Sequence, residues 1–353
     1  MAQQEIVTVS PVVVSLSDLA SGKSDSLLPE AFGPESLGII VVKNLPVEFQ
    51  ELRSRVLSSA SHLAGLPKEK LTQLEDPDSH FLNGWSLGKE ILSKGIPDNF
   101  KGSFYTNCSF YGYPDGKIPD EFLNGYEKLT SYTAAGIWPA ETDVPGFQQD
   151  LKALCKLMIG VAEDVARAVD RLFGGKLDGY PKGYLEHIVA TSTTTKARLL
   201  HYFPPPANSE ALDNDDSWCG EHFDFSCLTA LTSAQFVDES DESNKSALPG
   251  QVLKELAKSP DPTSGLYIKN RKGEVVKVNI PKDCLAFQTG SALQEATSGN
   301  FKAVPHYVQG SKTGTTVSRN TLAVFCQPSL HEPVGSKFED FATYSQYILK
   351  SIH

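Results

Sequence analysis

From Ala197 onward the chain is a succession of short β-branched and aromatic runs, and this constrains its fold more than any other feature. The runs are Ala197–Phe203, Cys227–Leu231, Gly265–Lys269, Val275–Ile280, Cys284–Gln288, Ala303–Gln309 and Thr321–Gln327. Turn residues part them, as in Asn270–Gly273 and Gly310–Gly314. Glycine and asparagine supply the backbone conformations that tight turns need. Short strands at this spacing predict antiparallel pairing into a sandwich or jelly roll. Two polar stretches interrupt the series. Asn208–Gly220 carries Asp213, Asp215 and Asp216, and Val237–Pro262 is acidic, then Pro-bounded around a short helical pattern at Gln251–Lys258. Both read as surface loops, and their place beside the strand series suits a lid.

The preceding half is mixed. Val12–Leu16 and Gly38–Lys43 read as strands. Phe49–Leu66 repeats Leu52, Val56, Ala60 and Leu63 on one helical face before Gly65 and Pro67 end it. Residues 67–130, rich in Gly, Pro and Asn, read as loops crossing the surface. Pro145–Gly174 is the strongest helix: Phe147, Leu151, Leu154, Met158, Val161, Val165, Val169 and Phe173 keep helical spacing. The expected architecture is mixed α+β, a jelly-roll core with flanking helices. Residues 1–130 would form an N-terminal mixed region and 131–353 the core with its scaffold helix 145–174, in one integrated unit.

Composition narrows the function. The 353 residues include 32 Lys+Arg against 43 Asp+Glu, a formal charge of −11. Without a basic stripe, a nucleic-acid surface is not expected. The opening MAQQEIVTVSPVVVSL lacks the basic and apolar regions of a secretory leader, and no apolar run reaches membrane-spanning length. Six cysteines with no C-x-x-C pair read as reduced, buried thiols of a cytoplasmic protein. The oligomeric state leaves no signature in the sequence.

The residues that carry chemistry lie among the strands. On a strand, His222 and Asp224 would face the same side, because side chains alternate. An imidazole and a carboxylate together with His306 would make the two-histidine, one-carboxylate face that leaves positions open on iron(II). A polar network without metal and a zinc hydrolase use the same residue types. What separates them is Arg319-Asn320-Thr321, which opens the apolar strand Leu322-Ala323-Val324-Phe325. Arg319, Thr321, Ala323 and Phe325 share one face, and a buried guanidinium needs an anion. A bidentate carboxylate suits its fork.

His222-x-Asp224, His306 and Arg319-x-Thr321, in that order, resemble the isopenicillin N synthase-like iron oxygenases, most of which use 2-oxoglutarate. The resemblance is strong over residues 195–328. It includes Gly265-Leu266-Tyr267-Ile268, Gly290-x-x-Leu293 and Lys302-Ala303-Val304-Pro305-His306, with Gly38–Val42 as a weaker N-terminal match. It implies a distorted double-stranded β-helix, with His222, Asp224 and His306 as catalytic iron ligands. Arg319 and Thr321 would hold the distal carboxylate of 2-oxoglutarate, with O2 as oxidant and ascorbate as a supporting reductant. It further implies oxidation of an unactivated C–H of a small molecule by hydroxylation, desaturation or ring closure.

The family often has Asn-Tyr-Tyr-Pro before the metal loop, where this chain has His201-Tyr202-Phe203-Pro204. His201 is therefore expected at the co-substrate, and Phe203, Ala323 and Phe325 along the substrate. Phe203 lacks the family hydroxyl, which keeps open an isopenicillin N synthase-type oxidase that uses no 2-oxoglutarate. A non-catalytic jelly-roll binding protein is the other alternative. The chain also resembles a group that includes fungal enzymes closing an aziridine ring on valine, which points to amino acids or specialised metabolites as substrates.

Overall fold

The computed structural model describes residues 7–9, 11–90, 97–115, 117–177, 180–204, 218–311 and 315–352, and in it the strand Ile39–Lys43 is apolar and buried on both faces over its first four residues. Ile40 and Val42 join the core beneath the helices, while Ile39 and Val41 join a second core between two sheets. The same division runs through its neighbours. Leu322 and Val324 face the helices and Ala323 the inter-sheet space; Ala197 and Leu199 face the helices, Leu200 and Tyr202 the inter-sheet space. A strand covered on both sides reads as a continuous hydrophobic run, as these do.

In chain order the strands are β1 (Val7–Val9), β2 (Val12–Ser15), β3 (Ile39–Lys43), β4 (Gly84–Ser86), β5 (Lys101–Asn107), β6 (Lys196–Tyr202) and β7 (Cys219–His222). They continue as β8 (Leu228–Thr232), β9 (Gln235–Asp238), β10 (Gly265–Lys269), β11 (Val275–Val278), β12 (Leu285–Thr289), β13 (His306–Gln309) and β14 (Val317–Cys326). The large sheet runs β2-β3-β12-β8-β14-β6-β5-β4, with β9 also paired to β14; the small sheet runs β1-β11-β10-β13-β7. Pairing is antiparallel except at β1–β11 and β2–β3. The two sheets are the walls of a double-stranded β-helix, the expected jelly roll within a mixed α+β chain.

The helix Phe147–Phe173 backs the large sheet. Phe147, Leu151, Leu154, Met158, Val161, Val165 and Val169 all lie buried along its inner stripe. Each such side chain removed from water contributes about 1.5–3 kcal/mol, which makes this helix the main support of the sheet that carries the site. The helix Glu48–Ala64 lies beside it, ended by Gly65. Among the described residues no helix is long and apolar enough to cross a membrane.

Three expectations are corrected. Residues 67–130 are not merely loops: β4 and β5 extend the large sheet, and β5 is buried along nearly its whole length despite the sequence Lys101-Gly102-Ser103. Gly102 is required there, because a Cβ would stand 2.4 Å from Cη2 of Trp85. Gln251–Lys258 forms no helix. Leu253 N–H donates to Ser58 Oγ at 2.9 Å, Glu255 is clamped by Arg53, and Leu256 N–H donates to the Phe236 carbonyl at 2.8 Å. These long-range bonds outweigh a weak local propensity. The end of the Asn208–Gly220 stretch enters β7, while positions 208–217 lie outside the described residues.

Candidate metal and anion site

β7 and β13 pair with His306 opposite His222, and their ring centroids stand 4.3 Å apart. Asp224 lies two residues beyond His222, past the end of β7 and not on it. The turn that follows carries its carboxylate against both imidazoles. Asp224 Oδ1 is 3.7 Å from His222 Nε2 and 3.6 Å from His306 Nε2, and one donor atom of each residue lies within 4.8 Å of the others. The structure thus brings the three sequence-selected residues together at one point, two of them buried and His222 on the rim.

Neighbouring groups orient all three. His222 Nδ1 is 2.7 Å from the Gly220 carbonyl, and His306 Nδ1 is 2.9 Å from the Val304 carbonyl. Each Nδ1–H therefore donates to backbone, which turns both Nε2 atoms toward the shared centre, where Gln288 Nε2 also stands 3.2 Å from His306 Nε2. Gln288 Nε2 donates to Asp224 Oδ2 at 2.6 Å, which leaves Oδ1 toward the imidazoles. Burial works against an ionised Asp224, but His306 and His222 outweigh it and hold the carboxyl below its usual range. Burial pulls the His306 pKa below its usual value, against the opposing pull of Asp224. It also opposes a charge on His222, yet the Cys219 sulfur, 3.8 Å from Nδ1, and Asp224 lift that imidazole to about 9.

These residues open on a cavity of about 620 Å³ between the sheets. β14 supplies Arg319, Thr321, Ala323 and Phe325 to its wall, the single face expected from alternation. Arg319 is 7 % exposed, with Cζ 4.9 Å from the Tyr202 ring centroid, and its Nε and Nη1 are buried without a hydrogen-bond partner. Burial lowers its pKa, though not enough to neutralise a guanidinium. A buried donor left unsatisfied costs about 1–3 kcal/mol, more when charged. An anion seated there would relieve that cost.

The expected roles of His201 and Phe203 require correction. β6 turns Arg198, Leu200 and Tyr202 toward the cavity, so His201 and Phe203 face the opposite side. His201 Nδ1 lies 2.8 Å from Asn320 Oδ1, near Ser61, behind the sheet, and burial pushes its pKa down to about 4. The aromatic hydroxyl beside Arg319 belongs to Tyr202, one position earlier than the family spacing suggests. Sequence reasoning also missed Gln288, whose only signal was its place at the end of an apolar run, and the cavity-lining bases Arg198 and Lys277.

The donor set fits iron(II). Two imidazoles and one carboxylate on one side of a cavity are the facial ligands of non-haem iron. The orphaned guanidinium fits the far carboxylate of a chelating co-substrate. Fold and site together define a double-stranded β-helix that carries a two-histidine, one-carboxylate group able to hold a metal ion. The chain is similar to known proteins in sequence and in fold. The chain is 23% identical over 309 residues, 85% of its length and 78% of the relative's, to the 2-oxoglutarate-Fe(II) type oxidoreductase ppzD of Metarhizium majus. Among solved structures, a putative 2OG-Fe(II) oxygenase family protein from Caulobacter crescentus superposes with TM-score 0.67 at 18% identity, over 96% of this chain and 99% of that one. A full-length Neurospora crassa protein in complex with alpha-KG gives TM-score 0.66 at 19% identity, over 94% and 89%. No family model matches the chain.

Proposed function

We infer that the chain is an iron(II)- and 2-oxoglutarate-dependent oxygenase that oxidises an unactivated C–H of a small molecule. The observation that carries this reading is the pairing, in one cavity, of three convergent metal donors with a buried arginine whose Nε and Nη1 have no partner. Metal donors alone suit many proteins; an anion-seeking arginine beside them suits a chelating acid. The curated relative is a 2-oxoglutarate-Fe(II) oxidoreductase, and the Neurospora protein was crystallised with that co-substrate.

When bound, iron(II) with 2-oxoglutarate and O2 supplies oxidation of a C–H bond coupled to conversion of the co-substrate to succinate and CO2. The chain's own part is positioning and exclusion of water. His222, Asp224 and His306 would hold the metal through Nε2, Oδ1 and Nε2. Gln288 fixes the rotation of the carboxylate. Arg319, stacked on Tyr202 and flanked by Thr321, would take the distal carboxylate. Ala323 and Phe325 form an apolar floor beside it. The six cysteines are unpaired and buried, which suits a reducing, cytoplasmic setting.

The isopenicillin N synthase-type alternative drew its support from the missing hydroxyl at Phe203, and Tyr202 now stands in that neighbourhood. An amino acid or specialised metabolite remains the substrate favoured by the likeness to valine-oxidising enzymes. Incubation with iron(II), ascorbate and labelled 2-oxoglutarate tests the class. Succinate is expected, abolished in Asp224→Ala. Oxygen uptake without succinate would transfer the chain to the oxidase reading; no iron-dependent oxygen uptake with any substrate would transfer it to the binding-protein reading.

A further inference from the structure

The walls of the cavity are basic, although the chain is acidic. Among the described residues its lining includes Arg198, Lys258, Lys277, Lys282 and Arg319, and Asp224 is the single carboxylate. The bases fall into separate places. Arg319 and Lys277 lie close enough to repel one another, and Lys277 donates to the Pro262 carbonyl. That corner is where 2-oxoglutarate is proposed to end. Lys282 is spoken for by Glu255.

Arg198 stands elsewhere. It pairs with Ala323 on β14, whereas Arg319 pairs with Tyr202, four residues along β6. Four strand residues span about 13 Å. A five-carbon acid built of bonds of about 1.5 Å falls well short of that. The Arg198 guanidinium also leans away from Arg319, with Cζ 4.9 Å from the ring centroid of Tyr105 on β5. One 2-oxoglutarate held at Arg319 therefore does not reach the Arg198 guanidinium, whose anionic partner in the protein is Glu90.

The guanidinium is held in place. Its Nε donates to Ser103 Oγ at 3.0 Å, and Nη2 donates to Ser103 Oγ and to Glu90. Nη1 makes no hydrogen bond among the described residues. Glu90 is shared with Lys101 at 2.9 Å and with the Tyr105 hydroxyl at 3.1 Å. Lys101 Nζ reaches Cys219 Sγ at 3.6 Å, next to His222. A chain of contacts thus links this arginine to His222, one of the candidate metal ligands. The side chain remains 13 % exposed within the cavity lining, so a ligand can reach it.

We propose that Arg198 anchors the oxidised substrate, and that this substrate carries a carboxylate. The assignment rests on the oxygenase reading above, which gives the other arginine to 2-oxoglutarate. Glu90 and Ser103 preorganise the fork, so little freedom is lost when a carboxylate meets Nη1. Once that group is fixed beside the metal, the apolar Leu231 and Phe325 would receive the carbon to be oxidised.

The test uses the full chain loaded with manganese(II), which binds oxygen ligands but does not run the oxidation, and saturating 2-oxoglutarate. Calorimetric titrations compare each acid with its primary amide: L-valine with L-valinamide, hexanoate with hexanamide, phenylacetate with phenylacetamide. At least one acid is expected to bind tenfold or more tightly than its amide. Arg198→Met should erase that preference while changing 2-oxoglutarate affinity less than twofold. Arg198→Lys keeps the charge and the Glu90 pair but lacks the fork, and should bind the acid at least threefold more weakly than the native protein. It serves if the methionine variant does not fold. Equal binding of every acid and amide by the native protein overturns the proposal. So does a preference that survives Arg198→Met, or a loss of 2-oxoglutarate affinity in that variant matching Arg319→Met. If the native protein binds no 2-oxoglutarate, the oxygenase reading fails instead, and the acid–amide comparison without 2-oxoglutarate judges Arg198 by itself.

Discussion

Asp224 receives Gln288 Nε2 on one oxygen and faces two imidazoles with the other. Groups that orient metal ligands in this way typically tune metal affinity by 10–100-fold. Gln288→Leu should weaken manganese(II) binding by about that factor, read by calorimetry, with the fold intact by circular dichroism. Arg319→Met is expected to weaken 2-oxoglutarate by roughly 100-fold, since two charge-assisted hydrogen bonds together contribute about 3 kcal/mol. Unchanged affinity would remove Arg319 from the site. At this scale the sequence revealed the metal donors well, because their residue types and order are sparse and specific. It concealed Tyr202 and Arg198, because a strand's inward face depends on a register that a shift of one residue inverts.

Strands and segments carry the next level. β6 presents Tyr202 to the cavity and His201 to the rear, where His201 meets Asn320 and Ser61. Burial holds its imidazole neutral to about pH 4, against an ordinary value near 6.5. Between those values the unfolded chain binds the proton and the folded chain does not, so stability falls as pH drops through this window. The loss from pH 7 to pH 5 is about 2 kcal/mol for this residue. His201→Asn should remove that part of the acid sensitivity in urea titrations at the two pH values; an identical pH dependence would contradict the burial argument.

The segment 251–262, whose residues 257–260 and Pro262 line the cavity, is tied down by Arg53, which reaches Glu255 at 3.0 Å and the Ala234 carbonyl at 2.9 Å. Breaking a buried pair costs about 3–5 kcal/mol. Arg53→Met should therefore lower stability by several kcal/mol and raise the apparent dissociation constant of any cavity ligand. The helical pattern read at Gln251–Lys258 was misleading because these bonds come from residues far along the chain. β5 was illegible for a related reason. Lys101, Gly102 and Ser103 look like a loop, and partners such as Asp98, Glu90, Trp85 and Arg198 make them a buried strand. The helix Phe147–Phe173 was legible because its pattern needs no distant partner to be read.

At the scale of the molecule, the two sheets enclose a basic cavity inside an acidic chain, with the candidate metal donors and cations from both sheets among its lining. Ligands that bind only the folded state stabilise it by mass action, by about 2.7 kcal/mol at one hundred times the dissociation constant. Manganese(II) and 2-oxoglutarate together should raise the melting temperature by several degrees, and Asp224→Ala should abolish the increase. The central claim is that His222, Asp224 and His306 share one iron. Crystals grown without oxygen and soaked in iron(II), with diffraction recorded across the iron absorption edge, test it directly. The account predicts a single anomalous peak within about 2.2 Å of both Nε2 atoms and the Asp224 carboxylate. Iron bound elsewhere, or His306 outside its coordination sphere, would contradict it.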